Sequence, residues 1–183
     1  MKIPLTPHIA YIIGLWKHRR TKEGIGVEGS REACQVFASE LVANGMAKPE
    51  EIRVEEGKVF TYHSAYRAFF DEVLKDEGGR FRYKNDFSAN FFAGMFDSVG
   101  GEKEGKTYFA FADNADEMAL LRLNWRAIRT GKTLWVGPSD EFKAWMQPFR
   151  KIEVEAKTAN ATKRSSGRKI ERRPNRVYPK PPA

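Results

Sequence analysis

Two short stretches hold the residues that decide what chemistry this chain can do. Asp97-Ser98-Val99-Gly100-Gly101 follows the apolar run Phe91 to Phe96, and Lys17-His18-Arg19-Arg20 follows the apolar run Ile9 to Trp16. A carboxylate at the foot of a helix can hold a hard divalent cation, which takes oxygen ligands. Metal-assisted phosphodiester cleavage needs such carboxylates to converge on the scissile phosphate. A run of cations binds the phosphate directly instead, through charge-assisted hydrogen bonds. The second stretch has Asp97 but turns to Val99 where a second acid is wanted, and the first stretch has no acid at all. Glu23 and Glu28 are the remaining carboxylates close to the first stretch, and with Asp97 they are the alternative metal ligands.

Other chemistries find little support. His8, His18 and His63 lack the spacing of a metal-ligand set. Cys34 is the only cysteine, so a disulfide within the chain and a thiolate zinc cluster are both excluded. It falls on the apolar face of a predicted helix and reads as core. Gly24 to Gly29, GIGVEG, lacks the lysine of a phosphate loop. No Ser-His-Asp or Cys-His set can be assembled, and no cofactor is expected.

Cations recur beside predicted strands: Arg53, Lys58, Arg80, Arg82, Lys84, Lys103, Lys106 and Lys132. In Arg80-Phe81-Arg82-Tyr83-Lys84 they alternate with aromatic rings, which suits stacking on unpaired bases. The chain of 183 residues carries a net charge of +8. Lys157, Lys163, Arg164, Arg168, Lys169, Arg172, Arg173, Arg176 and Lys180, opposed only by Glu171, account for the whole excess. A cationic arm with Tyr178 and several prolines on an electrically balanced body reads as a polyanion-binding extension. With 41% apolar and 13% aromatic residues the body can build a core. No apolar run reaches the ~20 residues of a membrane span, and no small-residue cleavage site follows the first apolar run, so a membrane partner is not expected and the cytoplasm is.

The positioning elements repeat. Thr6 and Pro7 predict a helix over His8 to Lys17, Gly24 to Gly29 a strand, and Ser30 a helix from Arg31 to Asn44. Glu51 to His63 alternates as two strands about a Glu-Gly turn, and Ser64 opens a helix closed by Gly78 and Gly79. The order then recurs. Ser88 opens the second apolar helix, Lys106 to Asp113 is a strand, and Asp113 or Asn114 caps a long helix through Gly131. Lys132 to Gly137 is a strand, and Ser139 opens a closing helix. Read this way, the second unit lacks one hairpin strand. Ala10 and Gly14, Asn90 and Gly94, and Ala89 and Ala93 are each four residues apart, so each pair lies on one helix face. Small residues there let the two apolar helices cross closely at the boundary between the units.

YIIGLWKHRR and FFAGMFDSVGG resemble two diverged copies of the LAGLIDADG motif of homing endonucleases and RNA maturases. The resemblance implies an α+β fold of two pseudo-symmetric αββαββα halves, the second reduced, whose antiparallel sheets form a saddle over nucleic acid. The halves fall at residues 1–80 and 81–153, with a basic tail over 154–183. In that family the last acid of each motif binds the catalytic metal. Aligned on Gly14 and Gly94, those positions are Arg19 and Val99, and Asp97 matches an earlier acid of the motif. The implied protein keeps the scaffold, cuts nothing and holds no metal. It binds nucleic acid, structured RNA ahead of duplex DNA, as a ribosome-associated or maturase-like component beside other proteins of a ribonucleoprotein particle. Lys17, His18, Arg19 and Arg20 are expected to take the central phosphates, flanked by the strand cations and followed by the tail.

Overall fold

In the computed structural model of the chain, residues 3–153 are described; the tail cations and Tyr178 lie outside them. The first half runs α1 (Pro7–Lys17), β1 (Ile25–Glu28), α2 (Arg31–Ala43), β2 (Arg53–Glu55), β3 (Lys58–Thr61), α3 (Ser64–Lys75) and the short α4 (Glu77–Arg80). The second half runs α5 (Asp86–Val99), β4 (Gly100–Lys103), β5 (Lys106–Phe109), α6 (Asn114–Arg122), β6 (Arg126–Thr130), β7 (Thr133–Gly137) and α7 (Ser139–Met146). The fold is α+β, with two antiparallel sheets of order β1-β3-β2 and β4-β5-β7-β6.

Local sequence sets the helix starts. Thr6 Oγ1 accepts from the Ile9 amide and Pro7 occupies the first turn of α1. Ser30 Oγ does the same for Ala33 in α2. The second apolar helix starts ahead of Ser88, at Asp86. Asn85 is its cap, accepting from the Phe87 and Ser88 amides, and Ser88 Oγ accepts in return from the Asn85 amide. Ser88 is thus the partner in a capping box rather than the cap.

The two central helices meet through their glycines. A methyl group added at Gly14 would fall 2.0 Å from the Phe91 carbonyl oxygen, and one at Gly94 would fall 2.1 Å from that of Tyr11. Each contact is the image of the other: 14 meets 91 and 95, and 94 meets 11 and 15. That reciprocity is a pseudo-twofold axis written in backbone atoms. Because sheets and outer helices cover both sides, Ile9 to Trp16 and Ser88 to Phe96 are buried throughout. A helix that is apolar all round is a helix with no solvent face.

The reduced half is the first, not the second. After α5 the chain forms β4, turns at Glu104 and Gly105, both left-handed, and returns as β5. Such a turn suits the twist of a hairpin. After α1 only Thr21 to Gly24 separate Arg20 from β1, too few for a strand and its turn. What remains of the missing strand is a single bridge, Arg20 with Val27. The long helix expected through Gly131 also divides. It stops at Arg122, Asn124 takes a left-handed conformation that Asn tolerates, and Arg126 to Thr130 pair with β7 as β6.

Substituting Gly94→Ala should cost about 1–3 kcal/mol or more of stability, because the obstacle is backbone and cannot rotate away. Urea unfolding measures this; an unchanged midpoint would show that the helices do not touch there.

Candidate nucleic-acid interface

The motif ends are not alike. On α1, Arg19 is exposed and its guanidinium lies 4.9 Å from the centre of the exposed Phe111 ring. On α5, Val99 is buried. Both residues play the same backbone part: the Arg19 carbonyl accepts from the Glu28 amide and the Val99 carbonyl from the Ala110 amide. The backbone symmetry therefore holds although the two side chains differ in charge and burial. A guanidinium has no lone pair to offer and valine has no donor atom, so the residues at these two positions do not fit a divalent cation.

The residues two positions earlier form two buried networks of opposite sign. Asp97 has a fully buried side chain, which accepts from the Tyr11 hydroxyl (2.8 Å), Arg150 Nε (2.8 Å) and the amides of Lys151 and Ile152 (2.8 and 3.1 Å). It serves as a clasp that fixes the chain after α7 against both central helices. Burial, then the Asp97 charge, push the Tyr11 phenol well above its ordinary range.

At the matching place on α1 stands Lys17, 5% exposed. Its ammonium meets Glu77 Oε2 at 2.5 Å, Asp116 Oδ1 at 2.6 Å and Asp113 Oδ1 at 3.4 Å. His18 Nε2 contacts the other Asp116 oxygen at 2.8 Å. Burial works against the ammonium, but Glu77 and Asp116 together hold its pKa above the ordinary lysine value. Burial would raise Asp116, yet the His18 hydrogen bond and the Lys17 charge hold it well below the usual carboxylate range. Glu77 is pushed up to about 8 by burial, and its Oε1 has no partner.

His18, Asp113 and Asp116 bring donor atoms within 4.8 Å of one another, the grouping closest to a metal site among the described residues. The Lys17 ammonium already bonds to both aspartates, and Asp116 also accepts from the Asp113 amide in the α6 capping box. The cluster is best described as a buried ion pair that locks the foot of α1 to α4 and α6. Sequence reading missed Glu77, Asp113 and Asp116 because nothing in their local pattern points at Lys17.

The predicted cations scatter accordingly. Lys17 is interior and His18 is tied to Asp116, so neither is placed to meet a phosphate. Arg20 reaches Asp71 at 3.4 Å and lies over the Trp16 ring. Lys58 is held by Glu23 and Glu55, both at 3.0 Å, which also engages Glu23. Glu28 is exposed at the end of β1, opposite Lys58. Arg53 is exposed on the edge strand β2. Arg80 pairs with Glu72 and Asp76. Arg82 lies against Tyr83 and Lys84 against Trp125, while Phe81 is core, stacked on Phe91 at 4.2 Å. This segment precedes the start of α5, about 21 Å of helix away from the end that feeds β4. Phe81, being core, offers no ring for stacking, while Lys84 over Trp125 comes next to the start of β6 and so to Arg126.

The second sheet does gather cations. Alternation sends Lys103, Lys106 and Arg126 to its outer face, with Tyr108, Trp135 and Ile128 in the adjoining row. None of the three cations has a carboxylate partner among the described residues. Glu102 and Glu117 point the other way, to Lys143 on α7 and to Arg129. Lys132 is exposed in the β6–β7 turn, whose carbonyl accepts from the Ala112 amide beside Phe111 and hence near Arg19. The outer face of the first sheet is different, carrying Glu28 and Glu55 beside Lys58. Arg126 escaped sequence reading because a helix was expected there, and Arg-Ala-Ile-Arg-Thr carries no apolar–polar alternation that would have marked a strand.

Two sheets on paired central helices, with the motif ends at the boundary, make up the LAGLIDADG homing-endonuclease fold. Among solved structures the chain is similar to mesophilic variants of the homing endonuclease I-DmoI, at TM-score 0.55 and 14% identity, over 78% of this chain and 96% of that one. It is similar to I-DmoI in complex with DNA and Mn at TM-score 0.55 and 12% identity, over 80% and 98% of the two chains. A variant of I-DmoI with its target DNA in the presence of Mg gives TM-score 0.55 and 12% identity, over 77% and 96%. No family model and no curated protein sequence matches the chain.

The Glu77 shift has a pH signature. The folded chain keeps a proton that the unfolded chain loses above 4.5, so this residue's contribution is full below that pH and is lost as pH rises to about 8. Thermal melts across that window should show stability falling in the parent protein and a flatter profile in Glu77→Gln. Parallel profiles would mean that Glu77 is already ionised throughout.

Proposed function

We propose that this chain binds nucleic acid without cutting it, and that its ligand is structured RNA. The observation that carries the reading is the pair of motif ends: an exposed arginine and a buried valine stand where the scaffold's chemistry calls for metal-binding carboxylates. Arg19 binds a phosphate directly, and Phe111 holds its guanidinium in place. The outer face of the second sheet extends the contact with unpaired cations and aromatic rings. The strongly basic segment from Lys157 adds affinity that does not depend on sequence. Preference for RNA rests on two features. Rings on an open sheet face suit splayed bases, and a long tail rich in arginine and proline suits the gaps between RNA helices. On this reading the protein acts in the cytoplasm, as a component of a ribonucleoprotein particle.

A second reading, recognition of a specific DNA duplex, is favoured by the complexes of similar structures with DNA. Competition between folded RNA and duplex DNA at fixed salt separates the two; tighter binding to one DNA duplex selects the second. Incubation of nucleic-acid libraries with Mg²⁺ or Mn²⁺ should give no reproducible cuts. Cleavage that is lost on substituting Glu23, Glu28 or Asp97 would overturn the non-cleaving assignment.

Charge reversal at Lys106 and Arg126 should weaken binding. The salt slope should fall by about 0.9 for each duplex phosphate no longer neutralised, or by about 0.7 on single strands. Removing residues 157–183 should lower both affinity and salt dependence much further. Unchanged binding by the shortened chain would take the tail out of the interface.

A further inference from the structure

We propose that the far end of the second sheet holds a site for a single unpaired nucleobase, stacked on Trp135, with the flanking phosphates held by Lys103, Lys106 and Arg126. The inference rests on the nucleic-acid reading above and narrows it to a kind of nucleotide. The three cations and Trp135 line a cleft of about 620 Å³, together with Ile128 and Pro138. Its floor is apolar: the Trp135 ring is half-buried, and Ile128, its neighbour across the ladder, is 55% exposed. Tyr108 packs against Trp135 from the other side at 5.4 Å and 54°, which fixes the indole plane. The same tyrosine covers Gly101, where an added methyl would fall 2.6 Å from its ring.

The cleft asks for a flat apolar ligand that carries negative charge at its edge. A base pair within a helix hides its faces by stacking and offers only groove edges and phosphates. An unpaired base offers a face. The three cations have no carboxylate partner among the described residues, and the acid that lines the cleft, Glu104, sits on the β4–β5 turn. Charge and shape thus agree on the same occupant.

The first sheet supplies an internal comparison. Its row equivalent to Tyr108-Trp135-Ile128 is Gly26-Phe60-Arg53. There Phe60 is 3% exposed and Tyr62 lies against it edge-on, so no ring face is open. Lys58, which lies over Phe60, is held by two glutamates. The stacking site belongs to one half of a pseudo-symmetric molecule, so it is not a by-product of the fold.

The test uses the full chain and three probes: an RNA stem-loop with 2-aminopurine in the loop, the blunt RNA duplex of the same stem, and single-stranded DNA of the loop sequence. The parent protein should quench the 2-aminopurine and prefer the stem-loop to the duplex. Trp135→Leu should lose about tenfold in stem-loop affinity together with the quenching, and leave duplex binding unchanged. Trp135→Phe should restore much of both, and melting curves confirm that each variant is folded. Quenching of the DNA strand as well would support the site and show that it reads the base rather than the sugar. If Trp135→Leu binds and quenches like the parent while Lys106→Glu and Arg126→Glu weaken all probes, the stacking site is wrong and the nucleic-acid reading stands. If neither class of variant changes binding, the sheet face is not the interface and the stacking site is wrong; if the parent protein binds none of the three probes, the nucleic-acid reading itself is wrong.

Discussion

Gly14 and Gly94 each stand against the backbone of the opposite helix, and the close crossing of α1 and α5 depends on them. A side chain at either position would separate α1 from α5. The sheets hang from the ends of these helices, so a wider spacing would also move the two sheets apart. The contact is stabilised from outside by large apolar side chains, including the edge-on contact of Trp16 with Phe70 and the Phe92, Phe109 and Phe142 cluster. Close-packed interiors tolerate little change in volume, and here the least tolerant point coincides with the pseudo-twofold axis.

The feet of the central helices show how an almost symmetric backbone carries asymmetric chemistry. Asp97 on α5 is answered by Arg150 from the segment after α7, and Lys17 on α1 is answered by Glu77 from the segment after α3. The signs are reversed between the halves. Each helix foot thus accepts its own flanking segment and rejects the other's, since removing or reversing one member of a buried pair strands a charge away from water. A single chain built of two similar halves can otherwise pair them wrongly, and opposed buried charges act against that error.

The outer faces of the sheets diverge in the same spirit. The first sheet has a short turn in place of a fourth strand, and its Lys58 is balanced by Glu23 and Glu55. The second has four strands, and its strand acid Glu102 turns inward to Lys143 on α7. The first sheet packs against α2, the second against α6 and α7. What differs is the row of side chains that burial leaves free to vary, and that row is where binding chemistry can change without cost to the core.

Much of this architecture was legible in the chain itself. Apolar runs with small residues four apart gave the two central helices and their contact, because that spacing has one geometric meaning on a helix. Thr6, Ser30 and Asp113 announced their helices through hydrogen bonds reaching no more than a turn. Arg19 and Val99 were legible as the residues at the motif ends, though the exposure of one and the burial of the other were not. Tertiary structure alone decided which half lost a strand, since Arg126 to Thr130 becomes a strand only by pairing with β7. It decided, too, that Lys17 is interior, because Glu77 and Asp116 come to it from distant parts of the chain. A lysine's type and neighbours do not say whether its charge faces water or a buried carboxylate; only the packing of α4 and α6 against α1 settles that.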